Sequence, residues 1–258
     1  MDLEIKNRNF IVGGATSGFG KAISIALVNE GAKVIGIART AEKVAEMVSQ
    51  FPDRFVGVSG DLTETRTLDA LDEIVNICDL SGIVLNAGGP PATSAIETGM
   101  DQWDSAYQNV FRWKIAFVNH FLPNMLKLNY GRILFVESYS VKQPVPNLVL
   151  SNSMRMAVAG YAKTLSSEIA GRGITVNILA PGFHSTPAAD RVIRKRSDSH
   201  NISFEKAADD ILSGIPMAKM GDPDDLGSLA AWLLSPHSKY ITGQTISIDG
   251  GAVHGSFG

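Results

Sequence analysis

Short apolar runs alternate along the chain with longer stretches in which apolar residues recur every three or four positions. The short runs are typical of buried strands, and the longer spacing predicts amphipathic helices. The runs that predict strands are Phe10–Val12, Lys33–Ala38, Arg54–Val58, Gly82–Leu85, Arg132–Val136, Ile174–Leu179 and Thr245–Ile248. Strands that alternate with helices in this way predict an α/β fold, a doubly wound parallel sheet of seven strands with helices on both faces.

Several helix boundaries can be predicted from residues that are typical of helix ends. The first helix places Ala22, Ile23, Ala26 and Leu27 on one face and is expected to stop at Gly31. A later helix is expected to begin with Asp222 as its N-cap and Pro223 at its first helical position. The stretch 100–128 predicts one long helix with a kink near Pro123.

Length and composition favour one large domain. The 258 residues are 45% hydrophobic and contain no low-complexity linker or repeat, so we expect a single domain over 1–258. A net charge of −3 argues against a nucleic-acid partner, and the single cysteine, Cys78, excludes an internal disulfide and a multi-cysteine metal site. The N-terminal residues lack a signal-peptide core, and no apolar stretch reaches the roughly 18 residues of a membrane span. We therefore expect a cytoplasmic protein without a membrane partner.

A glycine-rich loop between the first strand and the first helix is the candidate nucleotide site. Glycines at this position let a pyrophosphate approach the backbone N–H groups at a helix N-terminus. The candidate phosphate-binding residues of the loop are Gly14, Thr16, Ser17, Gly18, Phe19 and Gly20. The strand–loop–helix order predicts that the chain binds a dinucleotide.

The end of the second strand bears on which dinucleotide is bound. An acidic residue there commonly holds the adenosine ribose, but this strand ends with Ile37-Ala38-Arg39. A guanidinium at this place suits a 2′-phosphate, so Arg39 predicts NADP(H) rather than NAD(H). The alternative is that Arg39 is a solvated loop charge.

Further candidate cofactor contacts follow the carboxyl ends of other strands, where open α/β sheets bind ligands. Asp61 is a candidate acceptor for the adenine amino group, and small residues after the fourth strand allow close approach of a ligand. The candidates after the third, fourth and sixth strands are Asp61, Leu62, Asn86, Ala87, Gly88, Pro181, Gly182, His184 and Thr186.

Five segments together resemble the short-chain dehydrogenase/reductase family, most closely its 3-oxoacyl-acyl-carrier-protein reductase group. They are GGATSGFG (13–20), NAG (86–88), GRILFVES (131–138), GITVNILAPG (173–182) and TGQTISIDGG (242–251). The resemblance implies a Rossmann-type domain, a nicotinamide cofactor and often a homotetramer. It also implies a mobile substrate lid, which falls here on residues 185–215.

The resemblance fails at the catalytic residues. Members of the family use an Asn-Ser-Tyr-Lys tetrad, and its serine corresponds to Ser138. Where the family has Tyr-x-x-x-Lys, this chain has Ser151 and Arg155, and the asparagine position falls on Val110, beside Asn109. None of the five tyrosines has a lysine four positions later. We therefore take Ser138, Ser151 and Arg155 as the candidate catalytic residues, with Arg155 also placed against the cofactor.

The substitutions change the chemistry available. A serine hydroxyl is a much weaker acid than a phenol, and an arginine does not lose its proton. Three other groups could supply a proton: His184, Tyr139 and Glu137. Each has a structural alternative, namely a solvent-facing loop histidine, a packed aromatic and a salt bridge to Arg155.

These observations predict an NADP(H)-dependent oxidoreductase acting on a ketone/alcohol pair, with an acyl thioester among the candidate substrates. The basic run Arg191, Arg194, Lys195 and Arg196 is either an anion dock for such a thioester or a solvated helix face. A different hypothesis is a catalytically silent nucleotide-binding sensor or scaffold, because the tyrosine and lysine are missing. A lyase or hydratase that needs no cofactor is a third possibility.

Overall fold

The computed structural model describes residues 1–76 and 78–256, and within them one parallel sheet of seven strands. Ile77 and residues 257–258 of the expected domain lie outside that description. The strands are β1 (Asn9–Gly13), β2 (Lys33–Ala38), β3 (Phe55–Ser59), β4 (Leu80–Asn86), β5 (Gly131–Val136), β6 (Ile174–Pro181) and β7 (Thr245–Ile248). All seven predicted strands are therefore present, and the α/β fold is confirmed.

Helices follow the strands in the expected alternation. They are α1 (Gly18–Asn29), α2 (Ala41–Gln50), α3 (Thr65–Val75), α4 (Met100–Ala106), α5 (Trp113–Leu128), α6 (Val149–Ile169), α7 (Pro187–His200), α8 (Phe204–Leu212) and α9 (Pro223–Leu233). The region 185–215 contains α7 and α8, which pack against each other.

The strand order indicates where in the sheet a ligand would bind. The order is β3-β2-β1-β4-β5-β6-β7, so the chain reverses its winding direction between β1 and β4. Every pair in the sheet is parallel. Ligands of such sheets bind outside the carboxyl ends of the strands at this reversal.

The two faces of the sheet are covered by separate apolar clusters. Trp113, Phe117 and Phe121 on α5 belong to the cluster on one face. Ile23 of α1 and Leu226 of α9 belong to the cluster on the other face. Burial on both faces explains why the strands are almost continuously apolar.

Two predicted helix ends are confirmed. Gly31 has a φ of 80° just beyond the end of α1, a left-handed conformation that glycine adopts without steric cost. Asp222 precedes α9 with Pro223 at the first helical turn, and its carboxylate accepts a hydrogen bond of 3.0 Å from the Asp224 N–H.

The predicted long helix over 100–128 is divided by a π-helical segment, and the kink near Pro123 stays a prediction. Helix α5 continues through Pro123, and the irregular turns form a π-helical segment at Tyr107–Arg112. The indole N–H of Trp113 donates to the Asn109 carbonyl at 3.0 Å. In a regular α-helix the Asn109 carbonyl would accept from the backbone N–H of Trp113. Here the indole N–H of Trp113 bonds to it where the helix changes from π to α.

None of the helices within the described residues is long and apolar enough to cross a lipid bilayer.

Candidate functional site

A cavity of about 830 Å³ lies at the carboxyl ends of β1 and β4, where the strand order reverses. It continues from the glycine-rich loop past the end of β4 to Glu137 and Arg155. The predicted site residues that line it are Gly14, Thr16, Ser17, Gly18, Phe19, Arg39, Asp61, Leu62, Asn86, Ala87, Gly88, Arg155 and Thr186. One cavity therefore brings these residues together from six separate parts of the chain.

Two glycines of the glycine-rich loop have no room for a side chain. A Cβ on Gly14, where φ is 64°, would lie 2.8 Å from the Asn86 side-chain nitrogen. A Cβ on Gly20 would lie 2.2 Å from the Gly14 carbonyl oxygen. Helix α1 begins at Gly18 with no acidic residue in its first turn, and the Ser17 side chain does not cap it. The N-terminal N–H groups of α1 are therefore directed at a cavity wall that suits an anion.

Positive charge is concentrated at one end of this cavity. Arg39 after β2 and Lys43 in the first turn of α2 are both exposed and both line the wall. Asp61 faces them from the end of β3. Hydrogen bonds from the backbone N–H and hydroxyl of Thr63 hold the pKa of Asp61 below its ordinary value, and Arg39 adds to the effect. Lys43 is not among the residues predicted from the sequence, because Arg39 lies outside α2 and no helical spacing links the two.

At the other end of the cavity, Glu137 lies between two cations. Arg155 Nη1 donates to Glu137 Oε2 at 2.9 Å, and Lys114 Nζ donates to Glu137 Oε1. All three residues are buried, and Lys114 is only 1% exposed. Burial lowers the pKa of Lys114 to about 8, although the Glu137 carboxylate acts in the opposite direction. Of the alternatives for Glu137, the structure shows the salt bridge to Arg155.

Both candidate catalytic serines accept hydrogen bonds through their oxygen atoms. The Ser138 oxygen accepts from the Ser140 N–H at 3.1 Å. The Ser151 oxygen accepts from Arg155 Nε at 3.1 Å. Each hydroxyl proton is therefore available for another acceptor. Neither serine lines the cavity, but Ser151 Oγ lies 4.0 Å from a Cβ built on Gly89, which does line it.

The remaining predicted cofactor-binding residues do not line the cavity. They are Gly20, Pro181, Gly182 and His184. His184 is 3% exposed and its ring packs edge-on against Phe19 at 5.1 Å between centroids, so the expectation of a solvent-facing histidine is wrong. His184 thus packs against the glycine-rich loop through Phe19.

Tyr139 also lies off the cavity wall and is half-buried. Burial raises the pKa of its phenol, and the Asp249 carboxylate raises it further. These effects make Tyr139 a weaker acid than an ordinary tyrosine.

The asparagine position of the family is apolar here, as the sequence indicates. Val110 is buried, whereas Asn109 is exposed and its side chain donates to Ser105 Oγ at 3.1 Å. Both residues line the cavity, on the π-helical segment.

Three cations of the basic run are engaged within the fold. Arg194 stacks on the Phe204 ring at 5.2 Å, and Arg196 pairs with Asp210 at 3.6 Å. Lys195 donates to the Ala92 carbonyl at 3.5 Å. Arg191 alone of the four lines the cavity. The run therefore mainly joins α7 to its neighbours, with one cation directed at the site.

Comparisons with known proteins agree with this geometry. Residues 14–253 match the family model described as enoyl-(acyl carrier protein) reductase. The 3-oxoacyl-[acyl-carrier-protein] reductase FabG of Haemophilus influenzae is 30% identical over 244 residues, which cover 93% of this chain and 96% of that protein. The NADPH-dependent reductase BacG of Bacillus subtilis is 29% identical, over 96% of this chain and 99% of that protein.

Solved structures show the same relationship. YwfH, an NADPH-dependent reductase involved in bacilysin biosynthesis, superposes with a TM-score of 0.90 at 25% identity, covering 97% of this chain and 100% of that chain. Actinorhodin polyketide ketoreductase with NADPH gives a TM-score of 0.91 at 27% identity, covering 96% and 98%. The fold, the five sequence segments and these relatives lead to one conclusion: the chain belongs to the short-chain dehydrogenase/reductase family of oxidoreductases.

Proposed function

We propose that the protein is an NADP(H)-dependent oxidoreductase that interconverts a ketone and an alcohol, resembling the 3-oxoacyl reductases. The observation that carries the proposal is the single cavity that joins a glycine-rich loop and two cations at one end to Arg155 at the other. The relatives described as NADPH-dependent reductases support the choice of cofactor.

The residues of the cavity fit such a cofactor. The helix α1 N-terminus would hold the pyrophosphate together with the loop residues that line the cavity, which are Gly14, Thr16, Ser17, Gly18 and Phe19. Arg39 and Lys43 would bind a 2′-phosphate, and Asp61 would accept from the adenine amino group. Asn86–Gly88, Arg155 and Thr186 would line the nicotinamide riboside half.

The chain's own contribution to the reaction lies in its two serines. The bound cofactor supplies or accepts the hydride. In reduction, the Ser138 hydroxyl donates a hydrogen bond to the carbonyl oxygen, and the Ser151 hydroxyl transfers its proton to that oxygen. Arg155 Nε stabilises the negative charge left on Ser151 Oγ, which then regains a proton from water. Arg155 keeps its own proton throughout.

Removing the Ser151 hydroxyl tests this assignment. We expect Ser151→Ala to lower kcat about 10²–10⁴-fold, the usual effect of losing a proton donor, with little change in NADPH binding. Steady-state reduction of a panel of ketones and 3-oxoacyl thioesters measures the first quantity, and NADPH fluorescence titration measures the second. Ser153→Ala, on the exposed side of the same helix, is the matched control.

Two outcomes would contradict the proposal in different ways. If Ser151→Ala keeps full activity, another group donates the proton. If the native protein binds NADPH without turnover and Ser151→Tyr with Arg155→Lys creates reductase activity, the chain is the silent sensor or scaffold instead.

The choice between the two nucleotides depends on Arg39. We expect Arg39→Asp to weaken NADPH binding roughly 10–100-fold, because an attractive contact with the 2′-phosphate becomes a repulsive one, and to leave NADH binding unchanged or tighter. Isothermal titration with each nucleotide measures the change. Lys33→Asp, at the opposite end of β2, introduces the same charge change away from the cavity and should alter neither affinity. If Arg39→Asp kept the native preference for NADPH over NADH, Arg39 would not be the residue that binds the 2′-phosphate.

We also propose that the chain works as one unit with residues 185–215 as its substrate lid. It would form a homotetramer through the helical stretch 100–128 and the helix at 151–170. The exposed apolar side chains Tyr107 and Met156, which are 42% and 53% exposed, support pairing on this side. Arg191 on α7 would attract an anionic group such as that of an acyl thioester. Light scattering measures the assembly.

A further inference from the structure

The buried charges of Lys114, Glu137 and Arg155, here called the charge triad, are an unusual arrangement for a protein interior. Charged side chains are rarely fully buried unless they are paired, and here one carboxylate serves two cations. Two positive charges and one negative charge leave a net charge of +1. Glu137 and Arg155 also line the cavity, so that charge acts on whatever the cavity holds.

The fold places the triad at the nicotinamide end of the cavity. The glycine-rich loop after β1 would hold the pyrophosphate, and Arg39 after β2 would hold the 2′-phosphate. The adenosine half therefore lies toward β2 and β3. Because β4 and β5 are on the other side of β1, the second half of the dinucleotide extends toward Glu137, which directly follows β5.

Oxidised and reduced pyridine nucleotides differ in charge at this end alone. The oxidised nicotinamide ring carries a positive charge and the reduced ring is neutral, whereas their phosphates are identical. A fixed positive charge nearby weakens binding of the oxidised form and has little effect on the reduced form. We infer that the charge triad makes the protein bind NADPH in preference to NADP⁺, and so biases the site toward reduction. This inference rests on the proposed nucleotide binding, and not on turnover.

Lys114 controls the net charge of the triad. Its neighbouring elements are poor in other charges: β4 carries none, Arg112 of the π-helical segment is exposed, and Arg132 of β5 bonds to the Ser235 and Gly173 carbonyls. Within the described residues, Glu137 and Arg155 are the charges that act on Lys114. Because burial lowers the Lys114 pKa to about 8, the triad should be near +1 at pH 7 and near zero at pH 9.

Charge substitutions of opposite sign test the inference by binding alone. The measured quantity is the ratio of the dissociation constant of NADP⁺ to that of NADPH, from isothermal titration at pH 7. Lys114→Met brings the triad to zero and should lower the ratio about tenfold. The double variant Lys114→Met with Glu137→Gln has +1 again and should return to the native ratio. Lys127→Met, an exposed lysine on the same helix, is the control and should change nothing.

A merely structural role for the triad would not lower the ratio in Lys114→Met and restore it in the double variant. Should the double variant fail to fold, the native protein and Lys114→Met still test the inference. Raising the pH from 7 to 9 should lower the native ratio and leave that of Lys114→Met unchanged. Both nucleotides binding with a ratio that no variant and no pH alters would overturn the inference and leave the proposed function intact. Failure of the native protein to bind either nucleotide would overturn both.

Discussion

Replacing Glu137 by leucine should lower the free energy of unfolding by about 3–5 kcal/mol, which we expect to be the largest stability effect of any polar substitution near the site. The leucine leaves Lys114 and Arg155 buried without an anion between them. Urea denaturation measures the loss. Glu46→Leu, on the exposed face of α2, should change stability by no more than about 0.5 kcal/mol.

Replacing Lys114 by methionine should cost less stability than Glu137→Leu, because it leaves Glu137 paired with Arg155. We expect it to change stability at pH 7 by less than half as much as Glu137→Leu. The folded protein binds the Lys114 proton more weakly than the unfolded chain, because the pKa is about 8 in the fold and ~10.4 when unfolded. Between these two pKa values the unfolded chain holds more protons than the folded protein. The free energy of unfolding of the native protein therefore rises with pH, relative to that of Lys114→Met. Equal losses in Glu137→Leu and Glu46→Leu would contradict this account.

Replacing Gly20 by alanine should weaken binding of both NADPH and NADP⁺ by roughly a hundredfold. The added methyl would lie 2.2 Å from the Gly14 carbonyl oxygen and 2.7 Å from the Gly13 carbonyl oxygen, so the backbone of the loop must move. Forced displacement of this kind costs about 1–3 kcal/mol, and each 1.4 kcal/mol is tenfold in affinity. Fluorescence titration with NADPH measures the change.

Gly160→Ala provides the matched control. Gly160 is exposed within α6 and a Cβ there meets nothing within 4 Å, so the substitution should stabilise the helix by up to about 1 kcal/mol and leave nucleotide binding unchanged. Gly20→Ala binding NADPH as tightly as Gly160→Ala would show that the loop does not hold the cofactor as proposed.

The glycine-rich end of the cavity could be predicted from the sequence, because the residues that form it are close together along the chain. Gly14, Gly18 and Gly20 lie within one loop, and Arg39 directly follows the strand next to it. The carboxyl ends of parallel strands meet at one edge, so residues separated by many positions, such as Asp61 and Asn86, reach the same cavity.

At the other end of the cavity, the sequence could show only which residues of the family's tetrad are missing. The chain lacks the tyrosine and lysine of the family, but the sequence does not show what compensates. A lysine in the apolar stretch Trp113–Val118 has no local pattern that pairs it with a glutamate 23 positions later. His184 is comparable, since its burial against Phe19 depends on two loops meeting.

By itself, the sequence determined the seven strands, the order of strand, glycine-rich loop and helix, and the absence of the tyrosine and lysine that the family carries. Periodicity, glycine conformation and helix capping act over a few residues, and a single chain displays them directly. Only the tertiary structure decided that Lys114, Glu137 and Arg155 share one buried cluster, because α5, β5 and α6 meet only when the sheet has been covered. Burial there changes the charge chemistry of the site, and burial is a property of the packed fold.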